Sequence, residues 1–388
     1  MAFRFLICLR VILHENYLGD EFMEKWNMEA LGVAVDMAGC PNNCRHCWLG
    51  KQKNGDISIC DFRNIAAQFT NWRDENGNPI EKLGFSTWHR EPDFRDDYRE
   101  LWEIEKELSS PGMVKRFELL SIWRLARDES YAKWAAEAFR THAENGKPVC
   151  QVTFFGMEGA TDWSINRKGA FKDSILATNR LIEAGIAPRW QLFATKRGLD
   201  DYEQFTRLIY ELDLIKRCEA IGHKFDVFVN CFSPEGNGFY IDHETLEEGD
   251  LAKIPQGLID ICRDSIENFG KPEYELLAEF ANDDSPPNAS ANMHYISINA
   301  DYDAYPNIAE IAPWWRLGNL KTDGVDTIIK AYRDETTPGM VMNRTMPIRE
   351  LAQKYGNKNS KKLYDKSDLI CRFMHQWGAD YMEGNKNV

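Results

Sequence analysis

Short apolar runs punctuate the chain at 31–37, 82–88, 117–123, 148–156, 189–195 and 225–231, separated by stretches whose apolar positions recur at helical spacing. Runs of that length predict strands buried on both faces, as in parallel sheets. The helical stretches include 61–72, 97–108, 128–139, a long segment closing at Ala184-Gly185-Ile186, and 200–214. Six strand-then-helix units, with crossovers of the length that parallel strands require, describe an α/β protein built on a partial (β/α)6 TIM barrel.

Beyond the sixth unit the pattern changes. Residues 244–280 read as helical, 283–290 as a linker, and 293–299 with 301–307 as a hairpin. Leu317-Gly318-Asn319-Leu320 then leads into a helix at 325–332. The expected division is an N-terminal segment (1–30), the barrel (31–245), a helical connection and linker (246–290) and a smaller α+β C-terminal region (291–388).

Composition narrows the class. With 388 residues, 43% of them hydrophobic, the chain can bury the core of one large domain or of a large and a smaller one. A net charge of −14 supplies no basic field for a phosphate backbone, so nucleic acid is not an expected partner. The apolar start is interrupted by Arg10 and lacks a small-residue cleavage site, which reads as a strand or helix and not as a signal peptide. No run approaches the roughly 20 apolar residues of a membrane span, so no membrane partner is expected. Ten cysteines without regular pairing suggest a reducing, cytoplasmic location.

The candidate chemistry lies in Gly39-Cys40-Pro41-Asn42-Asn43-Cys44-Arg45-His46-Cys47-Trp48, after the first strand, at the end where barrel active sites sit. Three thiolates at C-x3-C-x2-C spacing are one short of a closed zinc site, whereas a [4Fe-4S] cluster held by three Cys keeps one iron open. A zinc site completed by Cys60 or His46, in a non-catalytic binding protein, is the alternative reading of the same residues. Against it, zinc sites normally build from C-x2-C pairs, and no second pair exists here.

Cys40, Cys44 and Cys47, with His46 in the aromatic slot, resemble the C-x3-C-x-aromatic-C signature of the radical S-adenosylmethionine (radical SAM) enzymes. That resemblance implies one [4Fe-4S] cluster on the three cysteines, S-adenosylmethionine (AdoMet) on its open iron, and an electron donor such as flavodoxin or ferredoxin. It also implies a Gly-Gly-Glu-Pro-like turn after the second strand, holding the AdoMet amino group. Here only Glu91 and Pro92 of that turn remain, after His89 and Arg90. A rival acid at Gly156-Met157-Glu158 fits the fourth strand better.

Val152-Thr153-Phe154-Phe155-Gly156, Arg167, Gly169-Ala170-Phe171 and the Ala184-Gly185-Ile186 helix end are similar in order and spacing to the family's fourth strand and following helix. By that similarity Thr153 contacts AdoMet and Arg167 holds its carboxylate, while Phe155 stands where the family often has Asp. The C-terminal hairpin resembles a SPASM or twitch extension, with Tyr305-Pro306-Asn307 in place of Tyr-Pro-Cys. After Cys262 the only cysteine is Cys371, so no auxiliary-cluster ligands are expected. That loss points to a redox-neutral outcome: rearrangement, elimination, or epimerisation with Cys231 returning hydrogen; a small molecule is the expected substrate, since the 30 residues before the first strand are too few for a separate leader-binding domain. The alternative substrate is a peptide, as in peptide-modifying members of the family. His89 is a candidate acid or base, and Lys196-Arg197 a candidate anion contact.

Overall fold

A computed structural model describes residues 30–87, 90–113, 120–142, 148–262, 269–287, 294–306 and 310–385. Most of the N-terminal segment, His89, residues 117–119 of the third strand candidate, the end of the linker and Asn307 lie outside the described residues.

The strands are β1 (Ala30–Val35), β2 (Lys82–Ser86), β3 (Val149–Phe154), β4 (Ala187–Phe193), β5 (Val227–Asn230), β6 (Lys271–Pro272), β7 (His294–Ile298), β8 (Asp303–Pro306), β9 (Gly318–Asn319) and β10 (Leu363–Tyr364). β1 is buried from Leu31 to Val35, which is why it reads as an unbroken apolar run, and β4 is buried along its whole length although Arg189 and Gln191 interrupt its apolar residues. β1 pairs in parallel with β2, and β3, β4 and β5 pair in parallel in that order. This is the mixed α/β architecture expected of the sequence, seen among the described residues as two parallel arrays.

The third strand candidate resolves differently. Ile122–Leu125 is a short helix whose cap is Ser121, its hydroxyl accepting from the Arg124 N–H at 3.0 Å. An apolar Leu-Leu-Ser-Ile-Trp run mimics a strand, but the serine inside it offers a helix start that periodicity does not weigh. The helix expected at 200–214 is likewise divided. A 3-10 turn (Lys196–Asp201) precedes Tyr202–Glu211, and Asp213, at φ +51°, separates that helix from Leu214–Ala220. Among the described residues of 244–280, short helical pieces lie at Glu248–Lys253, Gln256–Ile261 and Glu273–Phe280, with Pro255 and Pro272 standing before the last two.

The helices form for visible reasons. Ser58 caps Ile59–Asn71, and Phe62, Ile65, Ala66 and Phe69 put one apolar face of it into the core. Ala170–Glu183 closes at Ala184-Gly185-Ile186, the Ile186 N–H donating to Leu181 O at 2.9 Å.

The C-terminal hairpin is β7 and β8, antiparallel as expected. Its placement is not visible in the pattern: β7 pairs in parallel with β1, giving a five-stranded sheet in the order β2-β1-β7-β8-β9. One hydrophobic core therefore runs from Leu31 and Phe62 to Trp315, Ile328 and Phe373. A second core lies between β3–β5 and their helices, and a small third one gathers Phe155, Phe193 and Phe232, with Cys44 packed against it.

Candidate functional site

The cysteine loop leaves β1 and lines a cavity of about 630 Å3, whose wall includes Cys40, Cys44, Cys47, His46, Arg90, Glu91, Gln151 and Thr153. The loop is fastened at each cysteine. Asn54 brackets Cys40, accepting from its N–H at 3.1 Å and donating to its carbonyl at 3.0 Å. Asn237, just past β5, donates from its side chain to Cys44 O and from its backbone to Cys47 O, each at 2.9 Å. Gly236 makes this approach possible, since a Cβ there would lie 2.3 Å from Trp48 O and 2.7 Å from Cys47 O.

Burial pushes the Cys40 thiol up to about 12 and holds those of Cys44 and Cys47 above the ordinary range. Backbone N–H groups oppose this at two sulfurs: Asn42 donates to Cys40 Sγ at 3.4 Å, and Leu49 and Gly50 act on Cys47. Buried thiols that N–H donors face are suited to carrying charge only with a metal present. Cys60, proposed as a fourth zinc ligand, is exposed on the helix Ile59–Asn71 and is not on the cavity wall. Cys40, Cys44 and Cys47 share one cavity wall, and three thiolate donors, without a fourth beside them among the described residues, would suit a [4Fe-4S] cluster that keeps one iron open.

His46 lies against Phe155 and Phe193, with ring centroids 4.5 and 5.5 Å away. Burial lowers its imidazole to about 4, so it is neutral at physiological pH and packs as a flat aromatic ring. Phe155, which replaces an expected acid, is what it packs on.

Glu91 is on the wall, at the turn after β2. Its carboxylate accepts from Ser121 Oγ at 2.6 Å and from the Trp123 N–H at 3.4 Å, so the helix that replaced the third strand candidate positions it. Burial raises Glu91 to about 7, against those two hydrogen bonds and the charge of Arg167. The rival Glu158 is exposed and pairs with Lys172 at 3.0 Å. Thr153 lines the cavity from β3, beside Gln151, and the amides of Gln151, Gln191 and Asn230 form a hydrogen-bonded row across β3, β4 and β5.

Arg167 sits one layer back. It donates to Asn42 Oδ1 at 2.6 Å and pairs with Asp173 at 2.5 Å, and is not itself on the cavity wall. Cys231, the expected hydrogen donor, follows directly on β5, packs with Val227 and Val229 in the second core and is not among the residues that line the cavity. Burial raises its thiol to about 12, and Sγ lies 4.0 Å from Phe269 O. Lys196 and Arg197 are paired with Glu247 and Glu244 at 2.5 and 3.0 Å. The residues that sequence reasoning missed are Arg90, Asn54 and Asn237; only Arg90, directly before Glu91, carried a signal by position.

No protein-family model matches the chain, and no curated protein sequence does either. Solved structures do. AnSMEcpe with bound AdoMet matches at a TM-score of 0.50 and 14% identity, over 92% of this chain and 99% of that one. AnSMEcpe with bound AdoMet and the Kp18Cys peptide matches at 0.49 and 15%, over 92% and 100%. Streptococcus suis SuiB bound to precursor peptide SuiA matches at 0.40 and 13%, over 81% and 66%. The chain has the fold of the radical SAM enzymes.

Proposed function

We propose that the chain is a radical SAM enzyme whose substrate is a peptide segment, in place of the free small molecule that the sequence suggested. The observation that carries the class is the meeting of Cys40, Cys44, Cys47 and Glu91 on one cavity wall, in the fold shared with AdoMet-bound anSMEcpe. Cys40, Cys44 and Cys47 would hold the [4Fe-4S] cluster. The chemistry such a cluster supplies when bound is one-electron cleavage of AdoMet to methionine and a 5′-deoxyadenosyl radical, which takes hydrogen from carbon.

The chain's own residues place and shield. Glu91 in its carboxylate form accepts from the AdoMet amino group, Thr153 offers a hydroxyl from β3, and Arg167 steadies Asn42 in the cysteine loop. His46, Phe193 and Phe232 keep the wall beside Cys44 apolar and dry. The rest of the wall is rich in side-chain amides, among them Asn42, Asn43, Gln52, Asn54, Gln151 and Asn237. Asn54, Asn237 and Gln151 are bonded within the protein, and the amides of Asn42, Asn43 and Gln52, which both donate and accept as a peptide backbone does, support the peptide reading. AnSMEcpe, of the same fold, binds the Kp18Cys peptide. Among the described residues the cysteines on the wall are Cys40, Cys44 and Cys47, and the proposed outcome is redox-neutral: rearrangement, elimination or epimerisation. The electron comes from a flavodoxin- or ferredoxin-type donor.

Anaerobic purification should give about four irons and four sulfides per chain. With dithionite and AdoMet, 5′-deoxyadenosine should gain deuterium from the peptide fraction of a deuterated cell extract and not from its small-molecule fraction. Zinc without sulfide would sink the class, and deuterium from the small-molecule fraction alone would sink the peptide.

A further inference from the structure

The resemblance expects a glycine at position 90, where backbone must come close to a ligand. This chain has an arginine, and its guanidinium turns back toward the cysteine loop. Nε donates to Asp36 Oδ2 at 2.8 Å, at the end of β1. Nη1 donates to Gln52 O at 3.1 Å and Nη2 to Lys53 O at 3.0 Å. The next residue on that strap, Asn54, is the one that brackets Cys40. Gly39, at φ +97°, brings the loop so near that a Cβ there would lie 2.6 Å from Nη2.

Arg90 and Asp36 are both buried, with side chains 7% and 3% exposed. They differ in what they face: Arg90 is on the wall it shares with the three cysteines, and Asp36 is not. Lys51, the other cation on that wall, is exposed and screened by solvent. A desolvated positive charge beside a redox group stabilises its more negative, reduced state.

We propose that Arg90 is a positioning residue that ties the cysteine strap to β1 and, through its charge, raises the reduction potential of the cluster held by Cys40, Cys44 and Cys47. The inference rests on reading those cysteines as cluster ligands. A planar fork is needed to span one carboxylate and two carbonyls, and lysine can supply only the charge.

The test is a mediated dithionite titration of the iron-loaded full-length protein without AdoMet, followed by electron paramagnetic resonance, alongside the rate at which bathophenanthroline strips iron. Arg90→Gln should lower the ratio of reduced to oxidised cluster at a fixed potential about tenfold, a shift of about 59 mV to more negative values for one electron. Arg90→Lys should keep the wild-type midpoint and lose iron about tenfold faster. Wild-type midpoint in iron-loaded Arg90→Gln overturns the charge role, and wild-type iron retention in Arg90→Lys overturns the tie. If Arg90→Gln takes up no iron, Arg90→Lys decides: a shifted midpoint there overturns the charge role, and an unshifted one supports it. Wild-type protein without iron would instead overturn the cluster reading itself.

Discussion

Glu91 carries the clearest consequence of burial in this site. In the free protein its carboxyl is raised to about 7, so below that pH it is neutral and has lost the charge that favours an amino group. AdoMet affinity of the iron-loaded protein should therefore weaken as pH falls below 7, by up to about tenfold per unit, and Glu91→Gln should flatten the profile. Equal affinity at pH 6 and 8 in the wild type would remove Glu91 from the AdoMet site. His46 behaves in the opposite sense, because its shift to about 4 keeps it neutral throughout that range. His46→Phe should keep full iron content, while His46→Ala should cost about 1–2 kcal/mol in urea unfolding through its lost contacts with Phe155 and Phe193. Arg167→Ala should weaken AdoMet binding by less than the roughly tenfold of one lost charge-assisted contact, because Arg167 acts through Asn42 from behind the cavity wall, and iron should be retained.

Among the elements, the turn after β5 decides whether the cysteine loop holds its shape. Gly236 passes against the carbonyls of Cys47 and Trp48, its N–H donates to Glu310 at 2.7 Å, and Asn237 follows with two bonds to the loop. Gly236 also sits at φ +57°, so Gly236→Ala meets both strain and collision. That substitution should destabilise the fold by about 1–3 kcal/mol and reduce iron loading, measured by urea unfolding and by iron count. Undiminished loading would mean that the loop is set by its own sequence. Strand parity decides the fate of Cys231: one position earlier, Asn230 belongs to the inward row of amides, while Cys231 packs outward with Val229.

Over the whole molecule, the most consequential contact is β7 on β1. Residues 294–298 complete the sheet that delivers the cysteine loop, and the first core draws on both ends of the chain. A chain ending at residue 290 would leave β1 without its β7 partner and expose Phe62, Phe69 and Phe85 of that core. Such a truncation should fail to retain iron and should lose cooperative unfolding; a truncation that loads iron as the full chain does would mean that the part before residue 290 is self-sufficient. Among the described residues no helix is long and apolar enough to cross a membrane.

Local chemistry was legible in the chain itself. C-x3-C-x2-C needs neighbouring residues only, and the unbroken apolar run of β1 and the amphipathic face of Ile59–Asn71 follow from backbone period and burial. The hairpin at 294–306 was equally readable, because antiparallel pairing across a short turn is local. Where chemistry depends on groups distant along the chain, the pattern was silent. It could not show that Ser121 starts a helix reaching Glu91, that Asn237 fastens Cys44, or that β7 lies beside β1, because none of these follows from spacing along one segment. Parity hid the direction of Cys231 for the same reason: a one-residue difference in where β5 begins reverses every side chain on it, and only packing against the second core settles that register.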